Sequence, residues 1–242
     1  MLIGGISALM LQMLHPLALA GVWDHSNFRH DMLGRLRRTG QFISGTTFAG
    51  QADAERLIAR VRRIHERVVG VAPDGRAYAA DDPQLLTWVH VAEVHSFLQS
   101  HLLYRNPALP GAVQDRYYAE IALIGERLGA RDIPRSRRQI AEYFQVMRPQ
   151  LLYDQRCREM MQVLLHAPAP NALTKPVGAL MLRAGIDLLP NWAAELLGFQ
   201  PDAQRRYWIR TAVRHSAPLL RWAVRNGSIH RARRRLGLPP HG

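Results

Sequence analysis

Over residues 52–69, apolar side chains fall at Leu57, Ile58, Val61, Ile64 and Val68. Steps of three and four gather them on one face of a helix, whereas a strand would scatter them over both faces. A period of about 3.6 residues runs through nearly the whole chain, and no segment alternates strictly or closes on a paired hairpin turn. A chain patterned in this way buries helix faces against one another and has no sheet to build on. The pattern predicts an all-α fold, a single-domain multi-helix bundle over residues 1–242.

Punctuation divides the pattern into elements. Gly70 is the expected left-handed stop of the helix over 52–69. Asp81, Asp82 and Pro83 supply a cap and a helix-compatible proline ahead of 85–103, which Asn106 and Pro107 close. Further helices are expected over 111–128, 136–147, 150–165, 177–188, 192–197 and 202–224. The segment 42–48, with Ile43, Thr46 and Thr47, is the most strand-like piece. Ala167, Pro168, Ala169 and Pro170 form the one linker-like run, and neither a repeat nor a composition break splits the chain. The closing run Arg231, Arg233, Arg234 and Arg235 reads as a frayed polar tail over 226–242.

The first charged residue is Asp24. Residues 1–22 lack a positive leader, hold Gln12, His15 and Pro16 internally and show no clear small-residue cleavage site. A buried core helix is therefore expected in place of a membrane span or a signal peptide, with peripheral membrane contact left open. Because the chain opens on Met1-Leu-Ile-Gly-Gly, either a longer natural form exists or this helix packs from its first residue.

The single cysteine, Cys157, excludes a disulfide framework and a thiolate-rich metal site and fits a reducing, cytoplasmic setting. Basic residues outnumber acidic ones by 32 to 19, a net charge of +13, yet all are arginine except Lys175, a bias that base composition alone produces. Arg35, Arg37, Arg38, Arg60, Arg62 and Arg63 spread over different helix faces, so no nucleic-acid partner is expected.

Motifs exclude more than they identify. A nucleophile elbow, a phosphate-binding loop and a dinucleotide fingerprint are all missing. His90 and His95, flanking Glu93, stand five apart where a metalloprotease helix needs four. Glu142, Glu159 and Glu195 lack the His three residues on that a di-iron bundle requires. His95 and His101 read as partly exposed helix residues. His65 differs, because it sits on the apolar side of its helix among Val61, Ile64 and Val68. Alone it reads as a core histidine. The cluster Arg35-Leu-Arg-Arg-Thr39 upstream adds guanidinium groups and a hydroxyl, and an apolar pocket of that make-up suits haem: imidazole ligates iron and guanidinium pairs with propionate.

Five segments occur in a telling order: Leu11-Gln-Met-Leu-His-Pro16, Gly21-Val-Trp-Asp-His-Ser26, Leu33-Gly-Arg-Leu-Arg-Arg-Thr39, Val61-Arg-Arg-Ile-His65 and Trp88-Val-His90. Together they resemble the haem-dependent rubber oxygenase (latex-clearing protein) superfamily, which includes the fungal oxygenase that cleaves the farnesyl chain in mycophenolic acid biosynthesis. The resemblance covers nearly the whole chain. It implies a globin-like pocket for haem b, with dioxygen and a hydrophobic small molecule as reactants, His65 as proximal iron ligand, and Arg35 and Thr39 as pocket residues. Arg38 departs from the family motif, standing where the rubber oxygenases carry a lysine able to close the distal side of the iron. Arginine stays protonated and has no lone pair for a metal, so polyisoprene is not the expected substrate. The absence of a recognisable secretion signal points the same way. Arg38 and Thr39 are candidates for catalysis, Arg38 also for holding a propionate, and His15 and His90 are candidates for the distal side. Without Cys-x-x-Cys-His, covalent haem attachment is excluded. The alternative is a non-catalytic haem carrier or sensor of the same fold, with His15 or His90 as second axial ligand.

Overall fold

In the computed structural model, which describes residues 1–168, 171–172, 174–200, 202–223 and 227–239 and the side chains of all but 218–223 of these, the uncharged opening forms two helices. They are α1 (Leu2–Gln12) and α2 (Pro16–His25). The break has a local cause: the residue before a proline is pushed out of the helical region, and His15 takes φ −87° and ψ 115°. Pro16 then opens α2, where its missing N–H is harmless. The two axes turn by 106°, and among the described residues no single helix is long and apolar enough to cross a membrane. Most of α1 is buried, with Ile6, Met10 and Leu11 in the main core.

The remaining helices are α3 (Met32–Phe48), α4 (Gln51–His65), α5 (Pro83–Tyr104), α6 (Gly111–Leu128), α7 (Arg137–Met147), α8 (Gln155–Leu165), α9 (Lys175–Asp187), α10 (Asn191–Leu196), α11 (Ala203–Ala223) and α12 (Ser228–Arg235). Among the described residues the only strands are β1 (Val69–Val71) and β2 (Ala77–Ala79), an antiparallel pair with Gly70 opposite Tyr78. The fold is all-α, as the helical period predicts.

Helix α5 is the spine of the bundle. Asp82 caps it by accepting hydrogen bonds from the Gln84 and Leu85 N–H groups, and Pro83 occupies the first turn. Trp88, fully buried, donates from Nε1 to the Gln12 carbonyl at 3.3 Å and sets its ring edge-on to Phe144. Where α1 crosses α5 the backbones nearly touch: a Cβ at Gly4 would lie 2.8 Å from Phe97 Cδ1 and 2.9 Å from the Ser96 carbonyl oxygen. Gly4→Ala is therefore expected to cost about 1–3 kcal/mol by overpacking. Gly5→Ala, whose Cβ would meet only Phe97 Cε1 at 3.9 Å, should be neutral or stabilising. Paired thermal melts decide between them, and equal midpoints would refute the crossing as the constraint.

Several expectations need correction. Residues 42–48 are helical, the second half of α3, because packing on α4 overrides their strand propensity; within the helix the Thr46 hydroxyl bonds back to the Phe42 and Ile43 carbonyls and Thr47 to that of Ile43. Gly70 is not a helix stop, since α4 has ended at His65. It lies in β1 beneath Tyr78, where a Cβ would stand 2.5 Å from the tyrosine oxygen. The helix expected from 150 starts at Gln155, after a 3₁₀ turn over Arg148–Gln150 that holds Pro149, and Asp154 caps it by accepting from the Cys157 N–H. The basic tail is not frayed throughout: α12 packs on α3, and Arg235 Nη2 donates to the Phe48 carbonyl at 3.0 Å. Ala169 and Pro170 of the linker-like run, Val224 at the end of the helix expected over 202–224, and residues 226 and 240–242 of the tail lie outside the described residues.

Candidate functional site

Leu86, His90, Glu93, Phe97, His101 and Arg105 follow helical spacing along and just beyond α5 and line one cavity. Between the first and last of them a helix rises roughly 28 Å. Facing this stripe are Arg35, Arg38, Thr39, Phe42 and Ile43 of α3, Val61, Ile64 and His65 of α4, and Tyr117, Ile121 and Gly125 of α6. The cavity measures about 1090 Å³, just above the roughly 300–1,000 Å³ of small-molecule sites.

His65 lies in the last turn of α4, and its Nδ1 is buried without a hydrogen-bond partner. Burial lowers its pKa, with a smaller opposing pull from Asp81, so the ring is held as a neutral imidazole with a lone pair to offer. His90 is a second such group: its Nε2 is buried and unpartnered, and burial brings its pKa down to about 4. Its ring fits because α6 has glycine opposite; a Cβ at Gly125 would sit 3.0 Å from His90 Nδ1. For Arg35, burial first and the Arg38 charge second lower the pKa to about 10, which leaves it cationic at neutral pH, and Nη1 donates to Ser26 Oγ at 3.1 Å. Arg38 is exposed and pairs with Asp31 Oδ2 at 3.0 Å. That bond, then the Gly34 N–H, holds the Asp31 carboxyl below the usual carboxylate range while Asp31 caps α3. Thr39 is exposed at the rim.

The structure thus brings His65, His90, Arg35, Arg38 and Thr39 to one cavity. His15 is not among its lining residues. It is buried at the corner between α1 and α2, its ring centroid 6.2 Å from that of Trp88 and its Nδ1 unpartnered. Burial, and then the Arg76 charge, lower its pKa to about 4. His101 is exposed on the rim, while His95 turns away to pack edge-on against Phe144 at 5.0 Å.

Glu93 is the residue that motif reading passed over. It lines the cavity without a hydrogen bond or ion pair, and burial alone raises its pKa to about 7. A signal existed, since Glu93 is the one Asp, Glu, Lys or Arg between Pro83 and Tyr104. Among the described residues no three His, Cys, Asp or Glu side chains are grouped to hold a metal ion. The donors in the cavity wall are two neutral imidazoles, His65 and His90, and the half-buried Arg35 guanidinium, too few for a bare metal ion and chemically compatible with a haem group.

The family model described as ER-bound oxygenase mpaB/B'/Rubber oxygenase, catalytic domain, matches residues 1–222. No curated protein and no solved structure gives a significant match. The matched span contains every residue that lines the cavity, from Met1 to Ala217. On that match the chain belongs to the mpaB/rubber oxygenase family of oxygenase catalytic domains.

Proposed function

We propose that the cavity binds haem b through His65 and that the protein is a dioxygen-using oxygenase of a hydrophobic small molecule other than polyisoprene. The observation that carries this reading is the His65 ring, neutral by burial and with Nδ1 unpartnered, in the same apolar cavity as the cationic Arg35. His65 would hold the iron through its imidazole lone pair. Arg35 supplies a desolvated cation for a propionate, stronger there than at the surface. Thr39 and Arg38 add donors on the same helix, although Arg38 is already committed to Asp31. Phe42, Ile43, Val61 and Phe97 exclude water and set the preference for an apolar substrate. Bound haem iron supplies the redox chemistry that dioxygen needs and protein side chains lack.

A second reading has its own support: His90, with an unpartnered Nε2 in the same cavity, makes a bis-imidazole carrier. Absorption spectra of the protein titrated with haemin separate the two. The oxygenase reading expects a Soret band saturating at equimolar haem, ready binding of cyanide or imidazole by the ferric form, and loss of most haem in His65→Ala with helical circular dichroism unchanged. Full haem retention by His65→Ala would overturn it. A six-coordinate spectrum that resists added ligands, and turns five-coordinate in His90→Ala, would establish the carrier. Latex should yield no carbonyl-ended oligomers, whereas a screen of terpenoid and fatty substrates under oxygen should give a product absent with His65→Ala.

A further inference from the structure

Iron ligation and propionate pairing leave Glu93 without a part. Its carboxyl sits midway along the cavity face of α5, between His90 one turn earlier and Phe97 one turn later. Three polar groups of the lining are engaged elsewhere: the Tyr117 hydroxyl donates to the Val94 carbonyl at 3.3 Å, Gln12 Nε2 to that of Val89 at 3.0 Å, and Arg35 to Ser26, while His90 Nε2 and the Tyr104 hydroxyl face the cavity without a bond to Glu93 or to any other group. Glu93 is half-buried, and its carboxyl faces the cavity with no protein partner, an arrangement that costs stability in apolar surroundings. A ligand that brings the missing hydrogen bond recovers that cost.

We propose that Glu93 is a specificity-determining anchor that selects an apolar ligand bearing a single hydroxyl group. The inference rests on the reading of this cavity as the substrate site and names the class of molecule it takes. An alcohol suits the position in either state of the carboxyl, accepting from the protonated form and donating to the ionised one. A ketone or ether only accepts and an ammonium only donates. The other charged side chains lining the cavity are Arg35, Arg38 and Arg105, which oppose entry of a cation. A carboxylate ligand is repelled by Glu93 itself. The apolar body of the ligand lies along the α5 stripe, whose length accommodates a chain or fused rings.

Calorimetric binding of 1-decanol, 1-methoxydecane, decylammonium and decanoate to the full chain, with and without haem, tests this. Decanol is expected to bind about tenfold or more tighter than its methyl ether, the size of one hydrogen bond to a partly charged group. Glu93→Gln, whose amide also donates and accepts, should keep most of that preference. Glu93→Leu should abolish it, keep its helical circular dichroism and raise Tm by a few degrees because the unserved carboxyl is gone. Equal affinity for alcohol and ether, an undiminished preference in Glu93→Leu, tighter binding of decylammonium or decanoate, or no binding of any probe by folded protein would each overturn the anchor. Decanol preference in a protein that takes up no haem would overturn the haem reading alone, and haem uptake without the preference would overturn the anchor alone.

Discussion

Trp88→Ala is expected to cost about 3–5 kcal/mol and to lower Tm by roughly 6–20 °C. The ring has no exposed surface and is the largest fully buried side chain among the described residues. It joins three elements: its Nε1 holds the Gln12 carbonyl at the end of α1, its ring edge meets Phe144 of α7 at 6.1 Å, and its own helix is α5. Alanine would leave a void that those three helices cannot close without losing the α1–α5 seam. Trp88→Phe, which keeps an aromatic ring and gives up the Nε1 bond, should lose less. Urea titrations followed by circular dichroism give both numbers, and a cost under about 1 kcal/mol for the alanine variant would show that the site collapses freely.

Stability should also climb steeply with pH on the acid side of neutrality. Burial depresses the pKa of His15, His90 and His95 to about 4 from 6.5. Burial raises that of Glu93 to about 7 from 4.5. At pH values between these limits the unfolded chain therefore binds three protons on the histidines that the native state refuses. The native state keeps one on Glu93 that the unfolded chain releases. The net excess of about two protons on the unfolded side makes unfolding harder as pH rises, by about 2–3 kcal/mol per pH unit in mid-window. Near pH 4 the native histidines charge as well and the dependence flattens. Above 6.5 the protons still leaving the unfolded histidines and the one leaving native Glu93 come close to cancelling, and the slope decays toward zero. Urea midpoints of haem-free protein from pH 4.5 to 7.5 trace this curve. Glu93→Leu removes the opposing proton, so its acid limb should be steeper, and a flat wild-type profile between pH 5 and 6.5 would contradict the burial of the three rings.

The helical frame was legible because its signals are local. The helix read over 111–128 has those ends in the structure, and Gly129 follows it at φ 112°. Ser136 caps α7 by accepting from the Gln139 N–H. What escaped was set by few residues or by tertiary contact. The hairpin strands are three residues each, too short to display alternation, although Asp74 and Gly75, the latter at φ 83°, mark the turn between them. Ile43, Thr46 and Thr47 favour a strand by propensity and are overruled by the packing of α3 on α4. At the site, helical spacing sufficed to put His65 on an inward face, and the arginine cluster upstream joined it. His15 shares the same apolar, helical setting as His90, and only the turn at Pro16 assigns one to the core and the other to the cavity. Glu93 stood in plain view, but its meaning depends on the partner it lacks, which no sequence records.

The two sides of α5 answer to different demands. One side is locked to α1, where Gly4 leaves no room even for a methyl group, and the other opens on the cavity through positions such as Val89, His90, Glu93 and His101. Variation at those positions leaves the seam intact, so ligand preference can drift under selection while the scaffold stays fixed. A combinatorial library confined to those four positions would consist mostly of folded proteins with altered tastes, whereas one spread along the seam, Phe97 included, would consist mostly of unfolded ones.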